Sequence, residues 1–159
     1  MTADRVPSRG EADGAGGLTY QGARYLLVRP ETLVALQKVA LGERAAACLA
    51  AGGRAGGGTA LQALEGAAEE IVPRLLAMGG EIGWGAFALE RLGSDELVVS
   101  VRNSPFARAY GAAVTPVCHL TRGVLERLAE VALGAPAVAT ETACAANGAP
   151  ACRFVARVR

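Results

Sequence analysis

Two hydrophobic periods run through the chain, and the places where one gives way to the other mark its elements. Leu97, Val99 and Val101 alternate with Val98, Ser100 and Arg102, the two-residue period of a half-buried strand. With residues 82–91 before it and Leu92, Gly93, Ser94 and Asp95 as the turn, this run predicts a hairpin. A second hairpin is predicted from residues 138–143 and 152–158, with Cys152, Phe154, Ala156 and Val158 inward and Arg153, Arg157 and Arg159 outward. Helical spacing takes over elsewhere. Leu33, Leu36, Ala40 and Ala47 mark one face of a helix opened by Pro30 and running to Gly52. Further helices are expected over residues 59–66 and 67–78, with Pro73 as a first turn or kink. A last helix begins at Thr115-Pro116, with Val117, Leu120, Val124, Leu128 and Val131 buried and Arg122, Glu126, Arg127 and Glu130 in water. Residues 24–29 read as a short β-rich run stopped by Pro30. This order predicts an α+β domain, with helices packed on one face of an antiparallel sheet.

Residues 1–17 carry Gly, Asp, Glu and Arg without apolar periodicity, so a disordered tail is expected there, followed by a single domain over residues 18–159. The glycine-rich stretch 52–58 lacks the lysine and the glycine spacing of a phosphate loop; it reads as a helix end and a flexible hinge. Glu69 and Glu70, neighbours on a helix, point about 100° apart and read as a solvated face.

Composition narrows the function. Sixteen basic residues stand against 15 acidic ones, a net charge of +1, so no global field draws the chain to nucleic acid or an anionic membrane. No apolar run reaches the ~20 residues that span a bilayer, and no secretory leader is recognisable, which predicts the cytoplasm. The hydrophobic content of 52% is mostly alanine, valine and leucine, with aromatics at 4%, so the core is built of small side chains that leave room for an apolar cavity. The aromatics Trp84, Phe87, Phe106 and Tyr110, with the sole histidine His119, are the candidate lining of such a pocket. Gly83 and Gly85 flank Trp84 and allow another group to approach the sheet closely.

Chemistry concentrates in the C-terminal third. Cys118, Cys144 and Cys152, with Glu141 three residues before Cys144, make a ligand set able to satisfy one soft metal; the same residues also read as buried free thiols. If Asn147-Gly148-Ala149 forms a three-residue hairpin loop, Cys144 and Cys152 are opposed across the strands. Glu141 then falls on the wrong face, so the strand must bulge or end between Glu141 and Cys144 if Glu141 is a ligand. Cys118, near the start of the last helix, is expected to have its thiol pKa lowered by the helix N-terminus. Cys48, apart from the cluster, reads as a small buried hydrophobe. His119 is expected to play a structural part.

The run Cys118, Glu141, Cys144, Cys152, Arg153, Phe154, with Gly83-Trp84-Gly85 and the Asn103–Ala107 stretch upstream, resembles the 4-vinyl reductase domain family, also called the hydrocarbon-binding domain. The resemblance implies a fold shared with Golgi-transport and nitric-oxide-signalling ligand domains, usually a homodimer. It implies one structural Zn²⁺ held by Cys118, Glu141, Cys144 and Cys152, as in relatives that sense phenols, and an apolar or aromatic small molecule as ligand. Those sensors precede an ATPase, which these 159 residues lack, so a downstream regulatory or enzyme partner is expected to supply any output. The alternative the family name implies is an accessory or carrier for vinyl reduction of a divinyl chlorophyll precursor. A reductase needs a hydride donor, and no Gly-x-Gly-x-x-Gly fingerprint follows a strand here.

Overall fold

The computed structural model describes residues 10–12, 14–62 and 64–159. A four-stranded antiparallel sheet is its base: β4 (Ala86–Leu92), β5 (Glu96–Arg102), β6 (Ala137–Ala143) and β7 (Cys152–Val158), in the order β4-β5-β7-β6. Both predicted hairpins are present. Val99 opposes Phe154 and Leu97 opposes Ala156, which in turn opposes Ala139, so one face presents a continuous apolar surface. Glu96 pairs with Arg157 and Glu90 with Arg153 on the other face. Val98 and Val155, opposed there, are buried as well.

A smaller antiparallel sheet joins β1 (Gly10–Ala12), β2 (Leu18–Tyr20) and β3 (Ala23–Tyr25). Most of the expected tail, residues 1–9 and 13, lies outside the described residues, but Gly10–Ala12 is a strand paired with β2 and corrects that expectation. The β-rich run expected over residues 24–29 keeps strand geometry only to Tyr25. Beyond it Leu26 and Leu27 are exposed.

The first helix is broken. α1 (Pro30–Ala35) passes through a π-helical turn, Leu36–Leu41, and a 3₁₀ turn that opens at Gly42, φ 50°, before α2 (Ala45–Gln62) begins. The wider turn rotates the side chains, so Val34, Gln37, Ala45 and Ala50 are buried, while the predicted Leu36, Ala40 and Ala47 are exposed. Cys48, exposed on α2, is likewise corrected. α3 (Ala68–Glu81) carries Pro73 inside it, and α4 (Pro105–Tyr110) is a short helix capped by the Ser104 hydroxyl. α5 (His119–Leu133) starts four residues later than the Thr115 predicted, because Cys118 serves as its N-cap residue.

The glycine stretch 52–58 is neither a hinge nor a helix end; it lies within α2. Two of its glycines, Gly53 and Gly57, serve contact rather than flexibility. A Cβ on Gly53 would stand 2.1 Å from the Leu120 carbonyl oxygen, and one on Gly123 would stand 2.0 Å from that of Ala50. Helices α2 and α5 therefore meet backbone to backbone, an approach that any side chain would prevent.

Arg54, set among these glycines, locks the pair. Its guanidinium donates to Glu126 at 2.9 Å and to both carboxylate oxygens of Glu130, at 3.1 and 3.0 Å. Glu126, expected in water, is buried, and its other oxygen accepts from the Ala139 backbone N–H of β6 at 2.9 Å. One carboxylate thus ties α2, α5 and the sheet together. Burial pushes the Glu130 carboxyl up, but Arg54 and Arg127 outweigh it and hold it below its ordinary 4.5. A folded-state pKa that is depressed contributes stability above the unfolded value, lost as pH falls through the folded one. Arg54→Met is therefore expected to cost about 1–3 kcal/mol at pH 7. Urea titrations of the two proteins should show that difference shrinking as pH drops below 4.5.

Candidate metal centre and apolar chamber

Three local devices bring the four ligand candidates together. At the α5 terminus Cys118 donates its backbone N–H to Glu141 Oε2 at 2.9 Å, while its carbonyl accepts the first helical bond from Arg122. In β6, Glu141 opposes Phe154 but Ala143 opposes Arg153, so Thr142 is an extra residue and the strand bulges between Glu141 and Cys144, as the sequence required of a ligating Glu141. After β6, Cys144 opens a 3₁₀ turn, Ala145–Asn147, that ends at Gly148, φ 88°. This corrects the hairpin expectation. Cys144 is not a cross-strand partner of Cys152, and the connection spans residues 144–151.

The result is a buried cluster in which the ligand atoms of Cys118, Glu141, Cys144 and Cys152 all lie within 4.8 Å of one another. Cys118 Sγ is 3.6 Å from Cys152 Sγ and 3.5 Å from the Ser104 hydroxyl, and Cys152 Sγ accepts from the Ala145 N–H at 3.4 Å. Hydrogen bonding to Cys152, burial and the Glu141 charge push the Cys118 thiol far up, contrary to the lowering expected from the helix end. Burial raises Cys144 to about 11, and the bond from Cys118 draws Cys152 down to about 7. Protein groups alone thus do not stabilise three thiolates here. Glu141 Oε1 is buried with no hydrogen-bond partner among the described residues. Three sulfurs and an orphaned carboxylate oxygen, packed where four anions would repel one another, fit a cation that would satisfy all of them. Four protein donors leave no open position for activated water, so the chemistry such an ion supplies is cross-linking.

A second feature lies on the other side of α5. An apolar chamber of about 250 Å³ sits between α2, α3 and α5, walled by Gly52, Gly53, Gly56 and Gly57 and by Leu75, Leu76, Met78, Trp84, Phe87 and Val124. It shares Tyr25, Ile82 and Trp84 with an outer cavity of about 730 Å³ that Phe106 and the exposed Leu26, Leu27 and Val28 border. Tyr20, whose hydroxyl donates to Glu81, lines the same outer cavity. Trp84 is positioned by its glycines. Gly85, φ 115°, passes within 2.8 Å of the Arg102 carbonyl oxygen measured from a would-be Cβ, the close approach expected there. The indole meets the Phe106 ring edge-on at 5.1 Å between centroids. Phe87 lies against Gly79, where a Cβ would stand 2.9 Å from its ring.

The five aromatic and histidine candidates therefore divide. Trp84 and Phe87 line the inner chamber, and Trp84 and Phe106 the outer cavity. Tyr110 and His119 border a separate polar groove with Gln37, Lys38, Arg122 and Glu141. There Lys38 lies 4.1 Å above the Tyr110 ring and donates to the Tyr110 carbonyl. His119 is held below its ordinary pKa by burial and by Arg122. Sequence reasoning missed Tyr25, the glycine wall of α2 and Ser104. The signal for Ser104 was the Ser-Pro pair that caps α4.

Fold and cluster together define an α+β domain with a candidate metal centre. Residues 97–158 match the family model of the 4-vinyl reductase domain, which shows over that stretch the resemblance read from the sequence. No curated protein sequence matches the chain. Among solved structures, the phenol-responsive sensory domain of the transcription activator PoxR, determined with phenol, is similar at a TM-score of 0.81 and 18% identity, over 94% of this chain and 85% of that one. A vinyl-4-reductase family protein from Methanocaldococcus jannaschii is similar at a TM-score of 0.55 and 15% identity, over 69% and 66%. These likenesses establish the fold. No helix among the described residues is long and apolar enough to cross a membrane.

Proposed function

We propose that this chain is a cytosolic small-molecule-binding or sensing domain that takes up an apolar or aromatic compound between α2, α3 and α5. One Zn²⁺ on Cys118, Glu141, Cys144 and Cys152 would fasten the β6–β7 connection to the start of α5. The chamber is the observation that carries the reading. About 150 Å³ of apolar cavity holds benzene, and a chamber of about 250 Å³ opening on a larger cavity has room for a somewhat larger guest. Likeness to a phenol-responsive domain supports the same conclusion, and so do the family-model match and the thiolate-rich cluster. A homodimer and a downstream partner, which the family resemblance implies, complete the proposal.

The test is thermal denaturation across a panel of small aromatics. The melting temperature should rise with ligand concentration, by about 2.7 kcal/mol of added stability at a hundred times Kd. A panel that leaves it unchanged would remove the ligand-binding reading.

A further inference from the structure

The metal-centre part of that reading, on which this inference rests, leaves one buried hydroxyl without a part to play. Ser104 is 4% exposed and stands where β5 gives way to α4. Its neighbours fix it: Asn103, φ 55°, turns the chain out of the strand, and Pro105 sets the first turn of the helix. The Ser104 hydroxyl oxygen accepts from the Ala107 N–H at 3.4 Å, an N-cap bond that uses a lone pair and leaves the hydroxyl hydrogen to be placed. Its other partner is Cys118 Sγ, at 3.5 Å.

The sulfurs of the cluster are not served alike. Cys152 Sγ accepts from a backbone N–H, that of Ala145, whereas the hydrogen-bond partners of Cys118 Sγ among the described residues are side chains, the Cys152 thiol and the Ser104 hydroxyl. A metal displaces the hydrogen that the two thiols share. A thiolate on the ion has no hydrogen of its own, so between Ser104 and Cys118 only the serine can then donate. We infer that Ser104 is a positioning residue of the metal centre: its hydroxyl donates to the Cys118 thiolate, orients that sulfur and tightens the hold on the ion. A hydrogen bond to a charged acceptor is stronger than one to a neutral group, and outer partners of metal ligands are worth about 10- to 100-fold in metal affinity.

Co²⁺ is the probe, because sulfur-to-cobalt charge transfer gives bound thiolates an absorption band of their own. Ser104→Gly removes the hydroxyl at an N-cap position where glycine serves nearly as well as serine, so α4 is kept. It is expected to bind Co²⁺ about tenfold more weakly than the wild type, and to move the charge-transfer band to longer wavelength, since a sulfur without its donor gives up charge more readily. Ser104→Thr, which returns a hydroxyl on the same carbon, should restore both the affinity and the band. A Ser104→Gly protein with wild-type affinity and an unmoved band would overturn the inference and leave Ser104 a helix cap only. A Ser104→Thr band displaced as far as that of Ser104→Gly would overturn it too, because the hydroxyl would then not be what sets the sulfur. Absence of any charge-transfer band in the wild type with Co²⁺ would remove the metal centre itself, and the inference with it.

Discussion

Cys152→Ser is expected to melt about 10–15 °C below the wild type and to retain almost no zinc. The sulfur it removes is fully buried and contacts Cys118 Sγ and the Ala145 N–H, so serine must place a shorter, more polar group at the centre of the cluster. Buried thiols alone would lose about 1–2 kcal/mol by such a change. A metal that cross-links β6, β7 and α5 adds its own binding energy to folding, which brings the expected loss to about 3–5 kcal/mol. At about 2–4 °C per kcal/mol for a chain of this size, buried thiols alone would lower the melting temperature by about 2–8 °C and the metal-linked case by about 6–20 °C, so a loss above about 10 °C points to metal. Glu141→Gln keeps an acceptor for the Cys118 N–H but removes the charge, and it is expected to lower zinc affinity with a smaller loss of stability. A strong chelator should destabilise the wild type and leave Cys152→Ser unmoved. Equal chelator response in the two proteins would mean that the thiols are packing groups only.

Gly53→Ala should be among the most damaging single-methyl changes in the helices, costing about 3 kcal/mol, the upper end of the usual overpacking range. The added Cβ would stand 2.1 Å from the Leu120 carbonyl oxygen and 3.0 Å from the Val124 nitrogen. Both are backbone atoms, so α2 and α5 must move apart as bodies. That movement also pulls Arg54 from Glu126 and Glu130 and spoils the chamber wall. Gly123→Ala, 2.0 Å from the Ala50 oxygen, should behave alike. The result runs against helix propensity, which favours alanine over glycine by about 1 kcal/mol. Circular-dichroism melting of Gly53→Ala beside Gly56→Ala separates the cases. If both gained stability, the helices would not be in backbone contact and the stretch would be the flexible joint its composition suggests.

Legibility in the sequence depends on whether the governing contact is local. Alternation in β5 and β7 follows from one buried face, and it places both hairpins and the α+β class. The cysteine set is legible by type and spacing, and so is the need for the strand to bulge or end after Glu141, because an unbroken strand puts Glu141 and Cys144 on opposite faces. The path from Cys144 to Cys152 is not, since a 3₁₀ turn whose Ala146 carbonyl accepts from the Ala113 N–H depends on a distant segment. The α2 glycines mislead for the same reason. Composition marks a glycine run as a breaker, and only the facing backbone at Leu120 and Val124 shows why a helix keeps it. Helical periodicity alone puts Glu126 in water, whereas its partners, Arg54 and the Ala139 N–H, come from two other elements. Cys48 and Leu36 are displaced by the π-helical turn at residues 36–41, which shifts the buried face without any mark in the hydrophobic pattern.

The proposed function depends above all on whether the chamber between α2, α3 and α5 holds a guest. A crystal structure of the zinc-loaded protein grown with ethylbenzene tests this directly. Density for the ring is expected among Gly56, Leu75, Trp84, Phe87 and Val124. A chamber closed by its own side chains, or ethylbenzene bound only at the surface, would contradict it.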